Sequence, residues 1–305
     1  MMLLGAAGRG AFPPSVVLAI KALACELPHE HGIPLSRFSM FELKREAQAR
    51  GIVASIGETT IWRWLSDDAI KPWNHRSWVF PRDPDFEAKA GRILDLYEGH
   101  WEGRPLRDDE WVICADEKTS IQARRRTHET LPPGPRRPMR VEHEYDRAGA
   151  IAYLAGWDVR RARIVGRCEA RTGIASFDRL VQQLMSREPY SCARRVFWIV
   201  DNGSSHRGQA SVDRLQGRWH NLVLVHTPVH ASWLNQVEIY FSVLQRKVLT
   251  PNDFASTEEV EDRVLRFQHH YEQVARPFQW KFTRSDLREL MHRLKRLQPI
   301  HDLAA

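Results

Sequence analysis

The chain has 305 residues, of which 43% are hydrophobic and 27% are charged, and its formal net charge is +7. This composition is typical of soluble globular proteins, no apolar run approaches the roughly 20 residues that a membrane helix needs, and the first residues lack the features of a signal peptide. We therefore expect a cytoplasmic protein that contacts no membrane, and the basic excess leaves two alternatives open, a polyanionic partner or none.

Three short helices are predicted in the first 70 residues. The first spans 15–26, between a Pro-Pro pair and a further proline. The second spans 39–50, where Ser39 as N-cap and Glu42 three residues later form a capping box. The third begins near residue 58, after a tight turn that contains glycine. This arrangement is typical of a helix-turn-helix, so we predict a DNA-binding domain over 1–70.

The third helix has two different faces. Its apolar side chains, Ile61, Trp64 and Leu65, are expected to pack inward. The opposite arc carries the side chains that could reach base edges, which are Thr59, Thr60 and Arg63. The alternative interpretation is that these three are ordinary solvated residues of a small helical module.

Residues 71–107 are predicted to form a linker with an amphipathic helix over 86–97. From residue 108 to 252 the pattern changes to strands alternating with helices. The predicted strands are 111–115, 140–145, 151–157, 163–168, 196–200 and 222–225, and the predicted helices are 177–186, 208–219 and 232–249. This order is that of an RNase H-like domain, an α/β fold with a mixed five-stranded sheet flanked by helices, and residues 253–305 add a helical extension.

Two aspartates stand directly after apolar strands. Asp116 follows the strand 111–115, and Asp201 follows the strand 196–200. Ligands of open α/β sheets gather outside the carboxyl ends of the strands. If the two strands are neighbours, the aspartates lie side by side and repel each other, and a divalent cation would relieve that repulsion.

Glu238 is the third candidate carboxylate, in the second turn of the helix predicted over 232–249. Carboxylates without clustered Cys or His form a hard, oxygen-rich site that favours Mg²⁺ or Mn²⁺ over zinc. Two such ions, about 3.5–4 Å apart, would stabilise the attacking and leaving oxygens of a phosphoryl transfer. Taken singly, each acid has an ordinary alternative, because such an Asp often caps a turn and such a Glu is often solvated.

Three sequence segments resemble the signature blocks of bacterial insertion-sequence transposases of the mariner superfamily. They are DEKTSIQA at 116–123, DNGSSH at 201–206 and TPVHASWLNQVE at 227–238. The resemblance implies a DDE transposase that cuts DNA at terminal inverted repeats and joins the freed 3′ ends to target DNA, with TA as the suggested target. Its catalytic and metal-binding residues would be Asp116, Asp201 and Glu238.

The same resemblance implies double-stranded DNA as partner, both element ends and target, with a homodimer in the active complex and association with the nucleoid when bound. Residues near the acids are candidates for DNA contacts, namely Lys118, Gln122, Asn235 and Gln236, and His206 is a possible neighbour of the active site. The alternatives are an ordinary surface position for Lys118 and Gln122, and helix capping for Asn235 and Gln236. For His206 the alternative is a structural hydrogen bond. The basic run 124–126 is a further candidate for phosphate contact.

The chain departs from the family pattern at its N-terminus. Family members generally carry a further helical DNA-binding subdomain before the helix-turn-helix, and only 57 residues precede Glu58 here. Two explanations stay open at this point, an N-terminally truncated copy and a start at the wrong codon. Two other functions remain open: a transposase-derived DNA-binding regulator without catalysis, and an RNase H-like nuclease that hydrolyses DNA without strand transfer.

Overall fold

The computed structural model describes residues 12–75 and 81–301, with side chains up to residue 296. The chain divides into two compact units, Met1–Val79 and Phe80–Ala305, and each is described by itself. Within the described residues, no helix combines the length and the apolar character that crossing a membrane requires.

Unit 1 is all-α, as predicted. Its helices are α1 (Pro14–Ala24), α2 (Met40–Ala49) and α3 (Glu58–Asp67), with a short 3₁₀ helix at Pro28–His31. The predicted capping box is confirmed, because Glu42 N donates to Ser39 Oγ (3.4 Å) and Ser39 N donates to Glu42 Oε2 (2.7 Å). The three helices share one apolar core, in which the largest fully buried side chains are Phe38, Ile20, Leu23, Leu43 and Ile61.

Unit 2 is built on a mixed five-stranded sheet of strand order β5-β4-β3-β6-β7. The strands are β3 (Glu110–Arg126), β4 (Tyr145–Asp158), β5 (Arg163–Glu169), β6 (Arg195–Val200) and β7 (Leu222–His226), and a two-stranded ribbon, β1 (His100–Trp101) and β2 (Arg104–Pro105), precedes them. Strand β3 pairs antiparallel with β4 and parallel with β6. The predicted α/β architecture is thus confirmed.

Helices cover both faces of this sheet. They are α4 (Phe86–Tyr97), α5 (Ile174–Met185), α6 (Gln209–Arg218), α7 (Val237–Lys247), α8 (Thr257–Val274) and α9 (Arg284–His301). Successive residues of β3 point to opposite faces, so Cys114 packs with α4, α7 and α8, whereas Ile113 and Ala115 pack with α5.

Helix α4 has the predicted bounds but a different role. We predicted it within a linker over 71–107. Instead Phe86, Ala90, Ile93, Leu94 and Leu96 are buried in the core that covers one face of the sheet. An amphipathic pattern indicates that a helix has a buried face, but it does not indicate what covers that face.

One predicted strand is absent, and two others extend further than predicted. The strand predicted over 140–145 is absent, and β4 runs without a break from Tyr145 to Asp158. Likewise β3 continues eleven residues beyond the predicted end at residue 115. Hydrophobic periodicity detects only the buried ends of these strands. Their polar halves pair through an irregular ladder, with register shifts between Lys118 and Ile121 and between Gln122 and Arg124.

The helix predicted over 232–249 is interrupted. A 3₁₀ turn at Ser232–Leu234 is followed by Asn235 in an extended conformation (φ −85°, ψ 111°), and α7 begins only at Val237. The Asn235 amide Nδ2 donates to the carbonyl oxygen of Ala115 on β3 (2.9 Å), so a tertiary hydrogen bond holds the break. Glu238 therefore lies in the first turn of α7 instead of the second.

Candidate active site

The two aspartates lie beside each other where the pairing of parallel strands β3 and β6 stops. Asp201 directly follows β6 as predicted, whereas Asp116 lies inside β3 and not at its end, because β3 continues in its pairing with β4. Cys114 of β3 pairs with Ile199 of β6, and each aspartate follows its strand residue by two positions. Because side chains alternate along a strand, both carboxylates extend the same register on the same face. Asp116 is 8% exposed. Burial, and then the charges of Asp201 and Glu238, raise its pKa to about 8.

Glu238 joins the pair from the first turn of α7. Burial raises the pKa of its carboxyl, Asp201 raises it further, and the positive charge of Lys118 opposes both. The three carboxylates therefore interact electrostatically at one edge of the sheet.

His206 contacts Asp201 directly. Its ring Nε2 lies 2.5 Å from Asp201 Oδ1, and Ser205 Oγ lies 3.0 Å from its Nδ1. The side-chain bond to His206 and the backbone N–H of Gly203, which donates to the same oxygen at 2.7 Å, hold the pKa of Asp201 below its ordinary value, although burial opposes them. Asp201 therefore stays ionised, whereas the pKa of Asp116 favours protonation in the absence of a cation.

Gly203 is a position of the candidate site that sequence reasoning missed. A Cβ at this residue would lie 2.9 Å from Asp201 Oδ1 and 3.0 Å from His206 Nε2. Real Cβ atoms almost never approach this closely, so any side chain would displace the carboxylate or the imidazole. The Asp-Asn-Gly run beside the second aspartate was the available signal.

The start of α7 is held by a hydrogen-bond network that the sequence did not reveal. Tyr97, at the end of α4, donates its hydroxyl to the carbonyl oxygen of Leu234 (2.6 Å), and the backbone N–H of Gln236 donates to that hydroxyl (3.4 Å). The same hydroxyl lies 3.2 Å from Cys114 Sγ on β3. Helix α4 and strand β3 thus fix the segment that carries Glu238.

Two residues predicted as DNA contacts are buried. Asn235 is 0% exposed and Gln236 is 1% exposed. Asn235 ties the start of α7 to β3, so its side chain serves the fold and is withdrawn from any ligand in this conformation. The neighbouring Trp233 is 42% exposed and meets Phe282 edge-on at 5.2 Å between ring centroids.

The other predicted contacts occupy two separate places. Lys118 and Gln122 are half-buried on β3, beyond Asp116. On α3 of unit 1, Thr59 and Arg63 are exposed and Thr60 is half-buried. The exposed face of α3 also presents Trp62, at 51% exposure, which sequence reasoning missed.

The side chains of the site have the chemistry that a divalent cation prefers, although the carboxylates are not close enough together to form a complete metal site. Over 12–75 and 81–301, no group of three or more His, Cys, Asp or Glu side chains is gathered closely enough to hold a metal ion. The carboxylates nevertheless provide only oxygen donors, and after burial their repulsion is what raises the pKa of Asp116. A bound cation would remove this repulsion, as in other hard-ion sites.

Comparisons with known proteins agree with this geometry. Residues 111–261, just under half of the chain, match the family described as DDE superfamily endonuclease. No curated protein matches the chain. Among solved structures, the Mos1 mariner paired end complex with Mn is similar at a TM-score of 0.52 and 14% identity, covering 96% of this chain and 81% of that chain.

Two further Mos1 structures have the same fold. The paired end complex with Mg has a TM-score of 0.53 at 14% identity, with 96% of this chain and 81% of that chain covered. The paired-end complex of Mos1 transposase with the left transposon end has a TM-score of 0.52 at 12% identity, with 95% and 80% covered. The sheet of unit 2 is accordingly RNase H-like, and the segment that matches the DDE superfamily endonuclease model includes Asp116, Asp201 and Glu238.

Proposed function

We propose that the chain is a DNA transposase that cuts at the terminal inverted repeats of its element and joins the freed 3′ ends to target DNA, at TA sites. The observation that carries this proposal is the convergence of Asp116, Asp201 and Glu238 at one edge of an RNase H-like sheet, within a domain of an endonuclease family. The resemblance of the three signature segments supplies the finer features, which are the inverted repeats, the TA target, a homodimer as the active form and a cytoplasmic location at the nucleoid.

The three carboxylates would hold two Mg²⁺ or Mn²⁺ ions. When bound, such ions lower the pKa of the attacking water or 3′-hydroxyl and stabilise the departing oxygen. The protein's own groups prepare the site. His206 and the N–H of Gly203 keep Asp201 ionised, the network around Tyr97 fixes the start of α7, and Lys118 places a positive charge near Glu238.

The domain assignment remains part of this proposal. Residues 1–70 would read the element ends, 108–252 would catalyse with α4 as part of the same core, and 253–305 would extend the catalytic domain. The exposed arc of α3, with Thr59, Thr60 and Arg63, would enter the major groove as the recognition surface.

Sequencing the DNA that flanks the gene, followed by a strand-transfer assay, tests the proposal. The flanks should contain inverted repeats bounded by duplicated TA. Duplexes that end in those repeats should be nicked in Mg²⁺ and joined to a plasmid, and chelation should stop both reactions. Cleavage without joining would identify a nuclease of the same family. Intact substrate in both Mg²⁺ and Mn²⁺ would refute the catalytic proposal.

Replacing Arg63 with alanine should weaken binding to the element ends much more than binding to random DNA. A base-reading contact is worth about 1–3 kcal/mol of discrimination, or roughly a 5- to 150-fold loss of preference. Competition binding with end and random duplexes measures it. Arg45, an exposed arginine on α2, provides the control Arg45→Ala, which should leave the preference unchanged. Equal weakening on both duplexes would mean that Arg63 contacts only phosphate.

A further inference from the structure

We propose that a groove beside the polar half of β3 binds the phosphate backbone of duplex DNA next to the catalytic carboxylates. The groove, called the β3 groove below, consists of two adjoining cavities of about 230 and 430 Å³. Its main lining side chains are Lys118, Gln122, Arg124, Arg126, Gln245 and Asn252. This inference rests on the proposed function and adds the path of the DNA across unit 2.

The position of the β3 groove connects it with the candidate site. It begins at Lys118, two residues beyond Asp116 on the same strand, and Lys118 is near enough to Glu238 to act on its carboxyl. At about 3.3 Å per residue, the strand from Lys118 to Arg126 reaches at most roughly 26 Å. That length corresponds to about seven or eight base steps of a duplex. DNA held at the carboxylates would therefore run along the groove.

The irregular pairing of β3 shapes this groove. Between Gln122 and Arg124 the ladder with β4 shifts register, and such irregularities redirect side chains. Asn252, between α7 and α8, completes the pairing at this point: its Nδ2 donates to the carbonyl oxygen of Gln122 (2.6 Å), and the backbone N–H of Arg124 donates to its Oδ1 (3.1 Å). The groove wall is therefore fixed to the strand.

The β3 groove carries an excess of positive charge. Within the described part of the chain, Lys118, Arg124 and Arg126 form no ion pair with a carboxylate, and the single acidic side chain lining the groove, Glu142, is bonded to His128 at 2.6 Å. Arg125, the residue between the two groove arginines, is paired with Asp146. An unpaired row of cations in a concave surface attracts a polyanion.

The guanidinium groups of Arg124 and Arg126 are oriented by contacts that do not neutralise their charge. Arg124 lies over the ring of Tyr145, 4.7 Å from its centroid, and its Nε is buried without a hydrogen-bond partner among the described groups. Arg126 donates only to backbone carbonyls, including Asn252 O (2.9 Å) and Glu142 O (2.7 Å), so its positive charge is retained. A guanidinium that is already oriented loses little freedom when it binds phosphate.

The test measures DNA affinity against salt for the full chain with Asp116→Asn, which keeps the DNA uncut, and a random-sequence duplex as probe. Arg124→Gln should reduce the slope of log affinity against log salt by about 0.9. Between 50 and 200 mM salt, its affinity should then fall about three- to fourfold less than that of the parent. Arg124→Lys should keep the slope, because it keeps the charge.

Two matched controls accompany this measurement. Arg125→Gln removes the same charge from the next residue of the strand, where the side chain is paired with Asp146, and should leave the slope unchanged. Gln245→Glu adds a negative charge at an exposed position of the groove wall and should weaken binding about threefold, the effect of a charge about 7 Å from a phosphate in water. Gln182→Glu adds the same charge at an exposed position on α5, outside the groove, and should leave DNA binding unchanged.

If Arg124→Gln leaves the slope unchanged, or fails to fold while Gln245→Glu binds as tightly as the parent, the β3 groove does not hold DNA. Cleavage by the unaltered chain is measured separately. If the unaltered chain cleaves DNA but the groove variants bind DNA like the parent, only the inference about the groove fails. If the groove variants change DNA binding as expected but the unaltered chain does not cleave, only the proposed transposase activity fails.

Discussion

Asp116→Asn, Asp201→Asn and Glu238→Gln are each expected to abolish Mg²⁺-dependent DNA cleavage while DNA binding stays largely intact. Each substitution preserves the shape of the side chain and removes its charge. A neutral amide ligates a hard cation much less well than a carboxylate does. If the lost stabilisation is about 4 kcal/mol or more, the rate falls at least about a thousandfold.

The three variants differ in what else they disturb. Asp201→Asn also alters the contact with His206, whereas Asp116→Asn removes the charge that burial and Asp201 already disfavour. Asp116→Asn should therefore not lower the thermal stability of the chain. Its amide resembles the neutral, protonated carboxyl that the raised pKa favours at this buried position in the absence of a cation, so the substitution leaves no unpaired buried charge.

Initial rates on end-containing duplexes in Mg²⁺ and Mn²⁺, with affinity measured in parallel, check this expectation. Glu261→Gln, an exposed carboxylate on α8, is the matched control and should cleave at the parental rate. Cleavage at the parental rate by any one of the three variants would remove that residue from the catalytic set. Lost binding in all three would mean that the carboxylates support the fold instead of the chemistry.

The position of the two aspartates could be predicted from the sequence because their strands are buried and continuous. The apolar runs before Asp201 and Asp116 predict two buried strands, and the sheet confirms that these strands are neighbours. Asp201 follows the end of its strand as predicted, whereas β3 continues past Asp116. Their mutual effect on pKa follows from that adjacency. His206 could also be named as a candidate neighbour of the site, because it follows Asp201 by only five residues.

The surroundings of Glu238 could not be predicted in this way. Asn235 interrupts the helix through a bond to Ala115, 120 positions earlier in the chain, and Tyr97 contacts Leu234 across 137 positions. Such separations leave no periodic signal in a single sequence. The polar half of β3 escaped detection for a related reason, since its register with β4 shifts twice and its side chains do not alternate regularly.

Tyr97→Phe is expected to lower kcat for cleavage by about tenfold to a hundredfold while KM for DNA stays close to the parental value. The phenyl ring keeps its place against Trp280, whose centroid lies 5.2 Å away, and only the hydroxyl is lost. The Leu234 carbonyl then loses its donor and the Gln236 N–H its acceptor. An error of about 1 Å in the position of a catalytic group can reduce the rate about a hundredfold.

This effect has to be separated from a general loss of stability. An unsatisfied buried group costs about 1–3 kcal/mol, so Tyr97→Phe should also unfold at a lower temperature. Tyr190→Phe is the matched control. Tyr190 is buried on the other face of the sheet, and its hydroxyl donates to Asp158 Oδ2 at 2.7 Å. It should lose comparable stability, and its kcat per folded molecule should stay at the parental value.

The concentration of Mg²⁺ that gives half-maximal cleavage supplies a second measurement. If Tyr97 positions Glu238, loosening the start of α7 weakens the metal site, so Tyr97→Phe should need more Mg²⁺ and Tyr190→Phe should not. Excess Mg²⁺ should restore part of the lost rate, because metal binding would draw the carboxylate back into place. A parental kcat for Tyr97→Phe, or equal losses in both variants at every Mg²⁺ concentration, would show that the hydroxyl stabilises the core without positioning Glu238.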